Sequence, residues 1–194
     1  MSLRACALPA LVLALSLTVG CGGEPPDKEM QQAQGALDAA QAAGADKYAV
    51  SEFTAAQQAL VHAHDAVGQR DYRLALDRAL DSRERAQNAA REAADGKASA
   101  RSAAERALDQ AQAKLDAAVA KFEAAEAGKV PARLLAASRI SLDTVKTSLQ
   151  EVRALLAKGD YLQVPARATA ATASLDAASA AIEAAAAPPP RRRR

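Results

Sequence analysis

The stretch ARLLAASRISLDTVKTSLQEVRALLAK, residues 132–158, decides how this chain folds. Leu135, Leu142, Leu149 and Leu156 recur at a spacing of seven, and Val145 and Val152 fill the intermediate position that Ser138 takes once. That is a heptad seam, the signature of a helix lying along partner helices. Partners stand on both sides of it. After Gly159-Asp160, a seam reads Tyr161, Val164, Ala168, Ala171, Leu175, Ala178 and Ile182. Before it, Leu108, Ala111, Leu115, Ala118, Phe122 and Ala125 form another. Gly128-Lys129-Val130-Pro131 separates the first two helices, and Pro131 suits a first helical turn because its missing N–H needs no partner there. Three helices of similar length with short joints pack antiparallel and side by side.

Composition agrees. Ala dominates among Leu, Gln, Glu, Lys and Arg, all good helix formers, and Trp is absent. Ala buries little area, whereas a buried Leu or Phe contributes about 1.5–3 kcal/mol. Long, thin, closely packed helices are expected. No stretch alternates with period two for any length, so no strand is expected. Of the 25 Lys and Arg, Arg4 lies near the N-terminus and four close the chain, which leaves 20 against 23 Asp and Glu in the body. A mixed-charge surface of this kind is a solvated helix surface, not the clustered basic face that nucleic acid requires.

Upstream, helices are expected over residues 28–43 and 49–68, broken by Gly44-Ala45-Asp46. In the second of them Phe53, Ala56, Leu60, Ala63 and Val67 share one face. Asp71 is a natural N-cap, since its carboxylate can accept from a first-turn amide. From Tyr72 to Ala127 no proline intervenes. Asp95-Gly96 could kink or break this stretch, but one glycine costs only about 1 kcal/mol, so a single helix is expected. Asp160 is expected to cap a fifth helix over residues 161–187 in the same way as Asp71.

The joints repeat. Ala45-Asp46-Lys47-Tyr48-Ala49 aligns with Ala127-Gly128-Lys129-Val130-Pro131 at an offset of 82, and Arg70-Asp71-Tyr72 with Gly159-Asp160-Tyr161 at 89. The difference is seven residues, one heptad, and an insertion of that length leaves the inward faces unchanged. Self-alignment of any Ala-rich helical sequence is the competing explanation. The repeat gives an all-α, elongated antiparallel bundle: two three-helix units that share one long central helix, with coiled-coil-like packing. The expected divisions are a leader over 1–20, a flexible tether over 21–29, helical units over 30–95 and 96–187, and a Pro/Arg-rich tail over 188–194.

At the N-terminus, Arg4 precedes an apolar run from Leu8 to Val19, followed by Gly20-Cys21-Gly22. A basic residue, an apolar run too short to span a bilayer and a small residue before the break form an export signal. With the cysteine next, it resembles a bacterial lipoprotein signal; the alternative is an ordinary secretory peptide with a chance cysteine. The resemblance implies cleavage before Cys21 and a diacylglyceryl and N-acyl lipid on Cys21, with no other cofactor. Several acyl chains anchor stably where one does so marginally. Cleavage also discards Cys6, so no disulfide is available within the mature chain. Gly22 stands where Asp would retain an enterobacterial lipoprotein at the inner membrane, which implies the outer membrane, with the chain facing the periplasm.

An Asp-Lys-Tyr-Ala turn, an Ala- and Leu-periodic helix and then Arg-Asp-Tyr-x-x-Ala-Leu resemble the family catalogued as domain of unknown function 4398. That family comprises Ala-rich helical hairpins in Gram-negative envelope lipoproteins. The resemblance covers residues 37–100, and less clearly 127–180. It implies shape and location, and it carries no activity.

Candidate chemistry is sparse. His62 and His64 lie two apart on a helix and point to different faces, so they cannot chelate together. His64 and Asp65 could still meet a partner on another helix, although surface histidines are the simpler reading. Glu123 and Glu126 stand near Lys121 and Lys129 and read as solvated charges. Neither a nucleophile elbow nor a glycine-rich phosphate loop is present, and no enzyme activity or metal site is expected. Tyr72 and Tyr161 follow capping aspartates; they either form a ligand-stacking pair or cover the ends of their bundles. Pro188-Pro189-Pro190 stiffens the exit toward Arg191, Arg192, Arg193 and Arg194. These guanidinium groups suit an anionic surface of lipid headgroups, lipopolysaccharide or peptidoglycan, or else form a dispensable end.

The expected function is a non-enzymatic spacer or interaction module whose partners are the membrane, through its anchor, and peptidoglycan, lipopolysaccharide or another envelope protein. A carrier or chaperone would need a cavity lined by Leu, Val and Phe inside the bundle. An oligomeric coiled-coil scaffold would need an apolar stripe left outside, with Val119 and Ile140 as its candidates.

Overall fold

A computed structural model describes residues 23–187 of the chain, and these are all-α: six helices, one 56-residue helix central to them, and no strand among the described residues. The helices are α1 (Asp27–Ala42), α2 (Ala45–Tyr48), α3 (Val50–Gly68), α4 (Tyr72–Ala127), α5 (Ala132–Lys158) and α6 (Val164–Ala186). A 3-10 turn, Tyr161–Gln163, leads into α6. None of these helices is long and apolar enough to cross a membrane.

The central helix α4 runs unbroken through Gly96, as expected, for about 84 Å at 1.5 Å per residue. Helices α1 and α3 pack on its first part, and α5 and α6 on its second. Among the described residues, neither α1 nor α3 packs on α5 or α6; α4 is the helix they share. The two parts of α4 bury different side chains. The first presents only small ones, Ala75, Ala79, Ser82, Ala86, Ala89 and Ala93. From α1 and α3 they are joined by Met30, Leu37, Phe53 and Leu60 and by Ala33, Ala40, Ala56 and Ala63, and where small residues face one another the backbones can approach closely. Ser82 exploits this approach: its Oγ donates to the carbonyl oxygen of Ala56 on α3 at 2.8 Å, with the pair buried. The second part presents Leu108, Leu115 and Phe122 among its alanines, and these meet Leu135, Leu142, Leu149, Leu175 and Ile182.

The heptad seams are largely where the sequence places them, although Leu156 is only partly buried at the end of its seam. On α5, Leu135, Ser138, Leu142, Val145, Leu149 and Val152 are buried. On α6, Val164, Ala168, Ala171, Leu175, Ala178 and Ile182 are buried. Two ion pairs follow the same period on the surface, Lys114 to Asp176 and Lys121 to Glu183, each at 2.6 Å between α4 and α6.

Several expectations need correction. The tether does not extend to residue 29, because α1 starts at Asp27. Pro25 and Pro26 sit just ahead of it, and Asp27 and Glu29 in its first turn suit the positive end of the helix dipole. The joint after α1 is not a simple break. Gly44 takes a left-handed conformation at φ 89° and a single turn, α2, follows it. On α3 the buried face is Phe53, Ala56, Ala59, Leu60, Ala63 and Ala66, with Val67 only partly buried. Asp71 caps α4 as expected, its Oδ1 accepting from the amide of Leu74 at 3.0 Å. Asp160 does not do the same for the next helix: it makes no side-chain capping bond. A 3-10 turn intervenes there, and α6 starts with Val164-Pro165, where the proline lacks an amide to be capped. Tyr161 is half-buried beside the second core, not part of its buried seam.

Candidate functional site

The joint in the middle of α4 gathers the most chemistry among the described residues. The turn that connects α1 to α3 arrives there from one direction, and the turn that connects α5 to α6 arrives from the other. Each has a glycine in the left-handed region with a tyrosine against it. Gly44 faces the ring of Tyr48. Gly159 has φ 84°, and a Cβ built on it would lie 3.9 Å from the Tyr161 hydroxyl. L side chains are disfavoured at such φ values, so glycine is the natural residue at both turns.

Gly96 of α4 sits directly against the first turn. A Cβ built on it would lie 2.9 Å from the carbonyl oxygen of Tyr48 and 3.2 Å from its Cβ. The glycine that the sequence marks as a possible break is instead a point of close backbone approach. Around it, α4 is only partly covered: between Ala93 and Ala104, both fully buried, none of residues 94–103 is buried, and Gly96, Ala100, Ser102 and Ala103 are half-buried. Tyr48 is half-buried, and burial pushes its phenol pKa upward, with Tyr161 and Asp160 close enough to add to the effect. The two hairpin tips are therefore neighbours, although their helices do not pack on each other.

A cleft of about 620 Å³ opens between the tips. Lys47 and Tyr48 line it from α2, Lys97 from α4, Lys158 from the end of α5, and Asp160 and Leu162 from the α5–α6 turn. Asp46 lines it too. Other depressions lie between neighbouring helices. One of about 410 Å³ runs between α4 and α5 over Leu115, Val119 and Leu149, rimmed by Lys146 and Arg153. Another of about 280 Å³ lies between α1 and α3 beside Phe53 and His64.

The candidate residues read from the sequence are scattered rather than gathered at this joint. Cys21 and Arg191, Arg192, Arg193 and Arg194 lie outside the described residues. Tyr72 and Tyr161 are not brought together: Tyr161 lies close to Arg101, and Arg101 is about 44 Å along α4 from Tyr72. The tyrosine at the same joint as Tyr161 is Tyr48, on the opposite hairpin tip. The repeat gives no signal for it, because Tyr48 aligns there with Val130. His62 stands 3.9 Å from Asp65 on the same exposed face of α3, and His64 borders the groove beside α1. Among the described residues no group of three or more His, Cys, Asp and Glu side chains converges. Glu123 and Glu126 are exposed, and Lys121 pairs with Glu183.

The internal repeat is matched in backbone conformation at one joint and not at the other. Arg70 and Gly159, equivalent at the offset of 89, are both left-handed, at φ 61° and 84°. Lys47 and Lys129, equivalent at 82, differ: Lys129 is left-handed at φ 58° and Lys47 is in α2.

Compared with protein-family models, curated proteins and solved structures, the chain matches none.

Proposed function

We propose that this chain is a non-enzymatic, lipid-anchored protein of the bacterial envelope that acts as a helical spacer and interaction module on the periplasmic face of the outer membrane. In this reading two three-helix units share α4 and pack in coiled-coil fashion, and Cys21 carries the lipid. The Pro/Arg tail, with Arg191, Arg192, Arg193 and Arg194, gives a second contact to an anionic surface. The observation that carries the reading is α4 itself, one helix of 56 residues. Both cores along it are filled by side chains: Leu135, Leu149, Leu175 and Ile182 in one, Ala33, Ala56 and Ala86 in the other. A continuous helix braced on both halves holds its ends at a fixed separation, which is what a spacer needs.

The same observation favours a spacer over a carrier. The grooves over Leu115 and Leu149, and over Leu37 and Phe53, are open and rimmed by charged or amide side chains. A scaffold built through an external apolar stripe is less well supported. Val119 packs against the second core, which leaves Ile140, at 69% exposure, as the exposed one of the two candidates.

Membrane fractionation of the wild-type and Cys21→Ser chains tests the reading. The wild type should sediment with membranes, its N-terminal peptide bearing diacylglyceryl and N-acyl groups, and the Cys21→Ser chain should be released. A Cys21→Ser chain that stays with the membrane, or a mature N-terminus at another residue, contradicts it.

A further inference from the structure

We propose that the cleft between the hairpin tips binds a short acidic peptide that carries three carboxylates and one free ammonium. That is the composition of a cell-wall stem peptide with diaminopimelate at its third position. The inference rests on the spacer reading above and names what the middle of the spacer holds.

The charges come first. Lys47, Lys97 and Lys158 reach the cleft from three separate elements. Among the described residues none of the three forms an ion pair, whereas Lys114 and Lys121, which face acids across a helix pair, do. Asp46 and Asp160 border the same cleft and form no ion pair among the described residues either. Three ammonium groups and two carboxylates complement a ligand with an excess of negative charge and one positive group. A simple polyanion such as phosphate would meet the two aspartates at a cost, since like charges oppose one another across a contact. A stem peptide offers three carboxylates to the lysines and its side-chain ammonium to the aspartates.

Size and surface agree. A volume of about 620 Å³ is within the range of small-ligand sites, roughly 300–1,000 Å³. The ring of Tyr48 and the exposed side chain of Leu162 give the peptide's methylenes an apolar surface. A ligand seated here touches both hairpin tips and the stretch of α4 at residues 94–103 that lies between them. Its binding therefore stiffens that stretch.

The test is calorimetric titration of the full chain in detergent micelles with N-acetyl-L-alanyl-γ-D-glutamyl-meso-diaminopimelate, with amide hydrogen exchange read across α4. Saturable binding and slower exchange at residues 94–103 are expected. The Lys97→Gln, Lys158→Gln double variant, whose lysines are exposed, should keep its helical circular dichroism and bind at least about tenfold more weakly. Acetylating the peptide's ammonium should weaken binding similarly. Absence of saturation, equal binding by the double variant, or displacement by an equal concentration of phosphate would each overturn the proposal. A chain that fractionates with membranes through Cys21 yet takes no tripeptide loses this site and keeps the spacer. One that takes the tripeptide but is not anchored loses the anchor and keeps the site.

Discussion

The carbonyl oxygen of Tyr48 occupies the space that a side chain on Gly96 would need, 2.9 Å from where its Cβ would stand. The contact couples the first hairpin turn to the middle of α4, and it sets two effects of a methyl group against each other. Ala favours a helix over Gly by about 1 kcal/mol. A methyl forced into a filled contact costs about 1–3 kcal/mol. Gly35, on the exposed face of α1 with nothing within 4 Å, has only the first effect. Gly35→Ala should therefore raise the thermal midpoint, and Gly96→Ala should lower it. Equal stabilisation by both substitutions would show that the backbones do not meet at Gly96.

Arg70 holds a left-handed backbone at φ 61° in the turn between α3 and α4. A side chain in that conformation costs about 1–2 kcal/mol, part of which glycine returns through its greater freedom when unfolded. Arg70→Gly should stabilise by about 0.5–1 kcal/mol in urea unfolding. Lys129→Gly, at φ 58°, should act in the same direction. A loss of stability in both would mean that these turns relax to another conformation.

The two aspartates that look equivalent in sequence should behave differently. Asp71 accepts a capping bond from Leu74, so Asp71→Ala should cost about 0.5–2 kcal/mol. Asp160 makes no such bond, and Asp160→Ala should change stability by less than about 0.5 kcal/mol. Guanidinium unfolding of the two variants checks the contrast, and a large loss for Asp160→Ala would reinstate it as a cap.

Leu149 is 1% exposed in the seam of α5. Leu149→Ala should cost about 2–5 kcal/mol, from lost burial together with the cavity left behind. Ile140, on the same helix, is mostly solvated, and Ile140→Ala should stay within about 0.5 kcal/mol. A substantial loss of stability at Ile140 that grows with protein concentration would point to a self-associating face instead.

How far the sequence could be read depended on which physical signal a feature left. Helix α5 was legible to the residue because Leu135, Leu142 and Leu149 set its period while Pro131 and Gly159 bound it. Continuity through Gly96 followed from propensity alone, but the reason for the glycine did not: its partner, the Tyr48 carbonyl, is 48 positions away in sequence. Where helices begin was harder to read. Pro25-Pro26 resembles a tether, yet prolines ahead of a first turn also start helices, and Asp27 does so here. Asp160 had the residue type of a cap without the geometry, because a 3-10 turn and Pro165 follow it. The central cleft was the least legible feature. Its lysines come from three elements whose meeting depends on the register of two hairpins on α4, and no local pattern encodes that.

The central claim is that α4 is a single rigid helix across the joint. It is tested most directly by the distance between spin labels at Asp77 and Asp109, both exposed, in a chain whose native cysteines are replaced by serine. Pulsed electron paramagnetic resonance should return one narrow distribution near 48 Å, about 1.5 Å for each intervening residue. A broad distribution, or one centred well below that value, would mean that the helix bends or breaks at Gly96 and cannot hold its two ends apart.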